Sequence, residues 1–482
     1  MTNPSIFWYD FETFGNDPRR DRASQVAGLR TDLDLNVIGD PLNLYCQPAN
    51  DFLPSPMACL ITGITPQHAL KEGLSEAEFI KRLHNELNMP GTCGVGYNSI
   101  RFDDEVTRQL LYRNFIDPYK REYNNYNSRW DIIDMVRLCA ATRPDGINWP
   151  RKDNGRLSFK LEDLTKANGI EHDDAHDALA DVKATIAIAR LIKQYQPRLF
   201  DYVYGLRRKK KVMELINLDS QQLLLHVSGL YQTGRGCLGL VMPLCAHPHN
   251  TNGIIVCDLR IDPESWMYLS EAELQQRLFT PSSELPEGVD RIPLVNISTN
   301  RCPVVTTPAI LTAEQATEFE FDLERSEKYR DKLLSKPGLA KRVKNLYRSQ
   351  SMAPETDPDY MLYAGFFSDH DMEYMKLVTT TSAEDLGRLD LPFKDRRLKE
   401  MLFRYRARNF PESLNQEEQK LWEEFRLARI NDPNAVESYQ NDLAKAKEAA
   451  STEQHALLDE LESYVRTLHF RTNKSADSMA PV

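Results

Sequence analysis

The stretch SIFWYDF, residues 5–11, with Glu12 directly behind it, decides how the chain is read. It is apolar and aromatic, and a short run of this kind reads as a buried strand. Side chains alternate along a strand, so Asp10 and Glu12 share one face. Two carboxylates side by side on a buried strand repel one another and are costly to desolvate. Divalent cations remove that cost, and hard oxygen ligands suit magnesium or manganese. D-x-E alone is weak, since it arises by chance roughly once in a chain of this length. Its plain alternative is a pair of solvated edge charges.

Outward from this strand, residues 24–48 hold two more strand-like stretches, predicting a hairpin or meander. Residues 75–89 have helical spacing, with Phe79, Ile80, Leu83 and Leu87 on one face. TCGVGYN (92–98) reads as another buried strand, and 103–115 as a helix. Between them Asn98-Ser-Ile-Arg-Phe102-Asp103 places a carboxylate at a strand-to-helix turn. Asp103 follows the aromatic that anchors the turn. Its neighbours Asp104 and Glu105 read as first-turn charges favoured by the helix dipole. Residues 117–150 mix aromatics, Asn and Pro, and only 130–142 looks helical. Helices follow at 160–168 and 176–195, with Pro197 closing the second. His176-Asp-Ala-Leu-Ala-Asp181 opens that helix, and a lone His there also reads as a polar cap. Strands followed by interleaved helices predict an α/β domain ending near 197.

Beyond it, RRKKK (207–211) lies on a predicted helix and reads either as a solvated face or as a phosphate contact. Residues 222–310 carry short β-like runs punctuated by Gly, Pro and Asn, predicting a small barrel-like domain. Residues 313–350 are charged and helical, and a break follows at 353–358. Phe366, Phe367, Met372, Met375 and Leu377 are expected to begin a third core, and 415–470 has the texture of a helical bundle.

The 482 residues favour several domains, and 41% hydrophobic residues supply a sizeable core. The formal net charge of −11 argues mildly against a nucleic-acid binder. A carboxylate cluster neutralised by metal accommodates it. The eight cysteines show no C-x-x-C pair and no zinc-like spacing, as expected for reduced thiols in a cytoplasmic protein. The N-terminus lacks the pattern of a secretory signal, and no apolar run approaches the roughly 18–20 residues of a membrane span.

D-x-E, N-x-x-x-F-D and H-x-x-x-x-D in this order resemble the DEDD superfamily of 3′→5′ exonucleases, in its His-containing branch. The chain is most similar to the bacterial exonuclease I family, which degrades single-stranded DNA. The similarity runs through WYDFETFG (8–15), LITGITPQ (60–67), GYNSIRFDDEVTR (96–108), NSRWDIID (127–134), RPDGINWP (143–150), LTKANGIEHDDAHDALADVKATIA (164–187), QPRLFDY (196–202) and RYRARNFP (404–411). It implies a ribonuclease H-like α/β exonuclease domain with a mixed sheet (1–197), an SH3-like β domain (198–352) and an α-helical C-terminal domain (353–470), and the last residues, 471–482, read as a flexible tail.

The resemblance implies Mg²⁺-dependent, processive hydrolysis releasing 5′-mononucleotides, in DNA repair and recombination, with two ions for which Mn²⁺ substitutes. Asp10, Glu12 and Asp181 would ligate metal, Asp10 bridging both ions, with Asp103 on the second ion. His176 would act as general base, since imidazole exchanges a proton near neutral pH. Glu12, Arg108, Tyr119, Arg129, Trp130, Arg137 and Lys160 are the expected substrate contacts, combining cations with aromatics. Lys160 stands where the family often has Arg, and Lys makes a point contact rather than a bidentate one. Basic residues at 325–348 and Lys394–Arg408 would extend the track. The expected partners are single-stranded DNA and the acidic C-terminal tail of single-stranded DNA-binding protein, met by a monomer with no membrane attachment. Two rival readings stand against this. One is an RNA-directed exonuclease of the same superfamily, whose short members lack the middle and C-terminal domains. The other is a catalytically inactive single-strand-binding scaffold, which would have lost acidic positions that are all filled here.

Overall fold

The computed structural model describes residues 4–172, 176–349, 354–452 and 454–468. The expected tail from Arg471 onward lies outside the described residues. The chain divides into two compact units: Met1–Ser128, Asp173–Lys183 and Pro354–Val482 form the first, and Arg129–His172 and Ala184–Ala353 the second.

The chain opens with β1 (Ser5–Thr13), β2 (Ala23–Thr31) and β3 (Leu42–Tyr45). Helices α1 (Pro56–Thr62), α2 (Pro66–Glu72) and α3 (Glu76–Leu87) precede β4 (Thr92–Gly96) and α4 (Asp103–Arg113). β1 runs antiparallel to β2 and parallel to β4, and β2 is antiparallel to β3, so the sheet is mixed. Phe7, Tyr9 and Phe11 point to one face of β1. There they pack with Phe79, Ile80, Leu83 and Leu87 of α3 and Val106, Leu110 and Leu111 of α4. Alternation sends Trp8, Asp10 and Glu12 to the other face. One face of β1 therefore holds the core, and the other carries the acidic pair.

β5 (Ser128–Asp131) and α5 (Ile133–Thr142) then divide the segment expected to be helical over 130–142. α6 (Leu161–Ala167) and α7 (Ala178–Tyr195) follow close to expectation, and α8 (Pro197–Gly205) begins on Pro197. α9 (Lys209–Leu215) carries part of the RRKKK run. In the second unit β6 (Leu224–Val227), β7 (Leu238–Ala246), β8 (Gly253–Asp258), β9 (Leu294–Ser298) and β10 (Val304–Thr306) pair antiparallel in the order β10-β6-β7-β8-β9. α10 (Glu271–Phe279) is inserted between β8 and β9. The ladder slips between Pro243 and Cys245, where proline cannot donate to it. Leu224, Val241, Val256, Ile297 and Val305 fill the core of this β domain.

α11 (Ala313–Glu318), α12 (Leu323–Leu334) and α13 (Leu339–Arg348) close the second unit. The C-terminal helices are α14 (Asp369–Thr380), α15 (Ala383–Leu386), α16 (Arg396–Asn409), α17 (Gln416–Ile430), α18 (Pro433–Ala449) and α19 (Gln454–Thr467). They belong to the first unit and pack on its N-terminal segments. Ile430, Leu461 and Tyr464 share a core with Phe14, Cys59 and Ile64. Among the described residues no helix is long and apolar enough to cross a membrane.

Two expectations for the C-terminal helices fail. Met375 is buried in the predicted third core, but Phe366 is 86% exposed and Leu377 is exposed as well. Of the cations expected at Lys394–Arg408, Lys394, Arg396 and Lys399 stay exposed, but the later arginines of α16 do not form an open track. Arg404, Arg406 and Arg408 are buried, and Arg408 forks onto Asp51 (2.7 Å) and Asp359 (2.5 Å). Arg429 joins the same two carboxylates at 3.2 and 3.1 Å. Burying one such cation costs several kcal/mol unless it is paired, so RYRARNFP is read here as a structural motif.

Candidate active site

β1 delivers Asp10 and Glu12 on its acidic face. Gln25 of β2, directly across from Glu12 in the register, donates to Asp177 at 3.3 Å. Asp177 also accepts from the backbone N–H groups of Leu179 (3.1 Å) and Ala180 (3.0 Å), so its carboxylate caps α7. The cap of this helix is thus Asp177, and His176 before it is released from that duty. His176 is exposed and holds φ at 71°, a left-handed conformation uncommon for a residue with a Cβ. One turn into α7, Asp181 turns back toward the same place. Ligand atoms of Glu12, His176 and Asp181 all lie within 4.8 Å of one another.

Asp103 is the first residue of α4 and accepts the Phe11 backbone N–H at 2.9 Å, which fixes it beside β1. Its neighbours serve the scaffold. Asp104 accepts from Arg121 (2.5 Å) and from the Tyr9 hydroxyl (2.8 Å), and Glu105 accepts the Tyr363 hydroxyl. Of the three acidic residues, Asp103 is the one whose carboxylate accepts from the β1 backbone.

The electrostatics fit a cation. Burial, then the charges of Asp103, Glu12, Asp181 and Asp177, hold the Asp10 carboxyl well above the usual carboxylate range. Burial, then Asp181, Asp103 and Asp177, push Glu12 up to about 8. Asp51, Glu76 and Asp359, equally buried but facing arginines, are instead held low. Burial and mutual repulsion therefore disfavour the ionised form of both β1 carboxylates, and a divalent cation would favour it. A donor set of carboxylate oxygens with one imidazole suits a hard divalent ion.

The expected substrate contacts divide. Tyr119 is half-buried under the Arg108 guanidinium, whose carbon lies 5.3 Å from the ring centroid. Arg108 itself forks onto Glu122 at 2.7 and 2.8 Å and so braces the loop that carries Tyr119. In the second unit Lys160 is exposed at the start of α6. Arg137 pairs with Asp134 at 2.6 Å, and the buried Arg129 donates to the Asn300 carbonyl at 3.0 Å. Trp130 is 1% exposed, edge-on to Phe200 (5.4 Å) and Tyr204 (5.2 Å). Its ring is spent on the core, so the base stacking expected of it has no open face. Asp177 was missed from sequence although it sits at the N-cap position before an apolar periodic run, which was the available signal.

A mixed sheet with D-x-E on a central strand, joined by an acidic helix start and an H-x-x-x-x-D helix start, defines a hydrolytic nuclease of the exonuclease class. The family model for exonucleases matches residues 7–189, that for the exonuclease I SH3-like domain 207–349, and that for the exonuclease I C-terminal domain 356–468. Exodeoxyribonuclease I of Escherichia coli (strain K12) is 43% identical over 467 residues, covering 96% of this chain and 98% of that protein. The exonuclease I structure from Methylocaldum szegediense is 48% identical with a TM-score of 0.92, covering 96% of this chain and 99% of that one. The zinc-bound E. coli exonuclease I–single-stranded DNA complex is 43% identical with a TM-score of 0.92, covering 97% of this chain and all (100%) of that one. The chain belongs to the exonuclease I family.

Proposed function

We propose that the protein hydrolyses single-stranded DNA processively from its 3′ end, releasing 5′-mononucleotides, and that Asp10, Glu12, Asp103, His176 and Asp181 carry the reaction. The observation that supports this most directly is the convergence of Glu12, His176 and Asp181 beside Asp10, whose carboxyl is crowded by four other acidic groups. Glu12, Asp10 and Asp181 would hold divalent cations, with Asp103 completing the set; Mg²⁺ is the ion proposed, two per site, with Mn²⁺ able to replace it. When bound, such ions supply positive charge against the scissile phosphate and favour deprotonation of an attacking water. His176, exposed at the head of α7, takes the proton from that water. Asp177 fixes where His176 and Asp181 stand by capping the helix between them. Tyr119 is proposed to hold the strand beyond the site by stacking, and Lys160, in the second unit, is proposed separately as a phosphate contact.

The role proposed is in DNA repair and recombination, in the cytoplasm, as a monomer recruited through the acidic tail of single-stranded DNA-binding protein. The proposed domain limits are 1–197, 198–352 and 353–470, with a tail from 471. The test is product analysis on one oligonucleotide labelled at either end. A 5′ label should remain on a shortening ladder, whereas a 3′ label should leave at once as a mononucleotide. Early release of the 5′ label, or cleavage of RNA as readily as DNA, would overturn the reading.

A further inference from the structure

The segment from Tyr363 to Phe366 is an exposed stretch in an otherwise anchored part of the first unit. Arg397 ties it down by donating to the carbonyls of Met361 (2.7 Å) and Gly365 (3.0 Å). Phe367 turns inward and stacks on Tyr112, with centroids 5.8 Å apart and planes at 7°. Gly365 holds φ at 133°, a conformation closed to other residues, and the chain there leaves Phe366 86% exposed. A lone surface apolar residue is ordinary, but a large aromatic on a pinned backbone is a preset contact rather than a loose end.

Tyr119 is an aromatic neighbour of Phe366, and it leads toward the active site. Its ring meets the edge of Tyr119 at 5.5 Å and 73°. Tyr119 lies under Arg108, and the Arg108 guanidinium reaches the Tyr363 hydroxyl at 3.4 Å. Tyr363 in turn donates to Glu105, two residues along α4 from Asp103. Arg108 is five residues beyond Asp103 on α4, about 7.5 Å along the helix axis. Exposed cations flank the pair: Lys120 follows Tyr119, and Arg19 sits 5.4 Å over the Tyr363 ring. An exposed aromatic beside an aromatic–cation pair is the arrangement that takes unpaired bases on its ring faces and phosphates on its cations.

We propose that Phe366, edge-on to Tyr119, is a base-stacking contact for the single strand a few nucleotides upstream of the scissile bond. This rests on the reading that the protein degrades single-stranded DNA. Phe366 is a substrate-binding residue in this account, outside the catalytic set, and it acts on retention of the strand.

The test compares wild-type protein with Phe366→Ala, Phe366→Leu and Phe366→Trp, using dT oligonucleotides that carry one abasic site moved stepwise from the 3′ end. Because the ring is exposed, all three variants should fold, which thermal melting checks. Stacking on one base is worth about 1–3 kcal/mol, so Phe366→Ala should weaken binding roughly 5- to 150-fold, with the loss in KM and processivity rather than kcat. Phe366→Leu, apolar but without a π-face, should behave like the Ala variant, and Phe366→Trp should restore binding. One position of the abasic site should weaken wild-type binding and leave Phe366→Ala no weaker than before. Wild-type affinity in Phe366→Ala, or rescue by Leu as complete as by Trp, would overturn the proposal and leave the ring to an apolar protein contact. Failure of the wild type to degrade the strand at all would instead reject the functional reading beneath it.

Discussion

At the scale of single residues, His176 and Asp177 have different parts in the proposed reaction. His176→Ala should lower kcat by roughly 10²–10⁴-fold, the usual worth of a positioned general base, with single-strand binding nearly unchanged. Single-turnover rates beside binding isotherms check this, and a near-normal rate would reduce His176 to a loop residue. Asp177 is a positioning residue. Asp177→Ala should cost about 1 kcal/mol of stability through the lost cap and should also lower kcat. Asp177→Asn keeps an acceptor oxygen at the cap and should recover both. Loss of stability without any change in kcat would show that the cap does not position the site. Strand alternation and helix-start chemistry are local rules, so the placement of Asp10 and Glu12 on one strand face and of the H-x-x-x-x-D pair at a helix start was legible in the sequence, while joining them into one site took their resemblance, in order, to the DEDD superfamily. The fates of Trp130 and Phe366 were not, because both are aromatic and only packing against Phe200 and Tyr204, or its absence, tells core from surface.

Elements followed the sequence where periodicity had room to appear. α3 and α7 came out within two residues of expectation. α1 and α2 were passed over, being 7 residues each and too short to show a hydrophobic period. Their signals were chemical instead: Ser55-Pro56 and Thr65-Pro66 as caps, with Gly63 and Gly73 as stops. β5 has 4 residues, and its buried side chains merge by pattern into the helix after it. α3 also carries a pH-sensitive anchor. Glu76 in its first turn faces Arg22 (3.4 Å) and Arg113 (3.1 Å). These charges outweigh the burial of its carboxyl and hold it at about 2, against an ordinary 4.5. A depressed folded-state value stabilises the fold above the unfolded value and loses that contribution as pH falls through the folded one. Stability should therefore drop between about pH 4.5 and 2, and urea melts should show a smaller drop for Glu76→Gln over that window. Glu76→Gln should itself cost about 3–5 kcal/mol at neutral pH, having left two buried arginines without their anion. Identical pH profiles for the two proteins would remove Glu76 as an acid-sensitive contact.

Over the whole molecule the net charge of −11 hides a division of labour among its cations. Arg404, Arg406, Arg408 and Arg429 neutralise internal carboxylates, so the basic content available to a strand is smaller than the sequence suggested. Binding should still weaken with salt, because phosphate contacts act within about 10 Å at 0.1 M salt and the acidic surface farther away is screened. For a metal-free preparation, log affinity against log salt should fall with a slope near −0.7 per phosphate neutralised. A blunt duplex should bind more weakly than a long single strand. A flat salt response, or equal affinity for both forms, would mean that no cationic track exists. The central claim is that the carboxylates at β1 need a divalent cation to do chemistry. It is tested most directly by incubating a 5′-labelled single-stranded oligonucleotide with chelator-treated protein and then adding back Mg²⁺ or Mn²⁺. The account predicts no cleavage in excess EDTA and a ladder shortening from the 3′ end once metal is restored, and full activity in EDTA would contradict it.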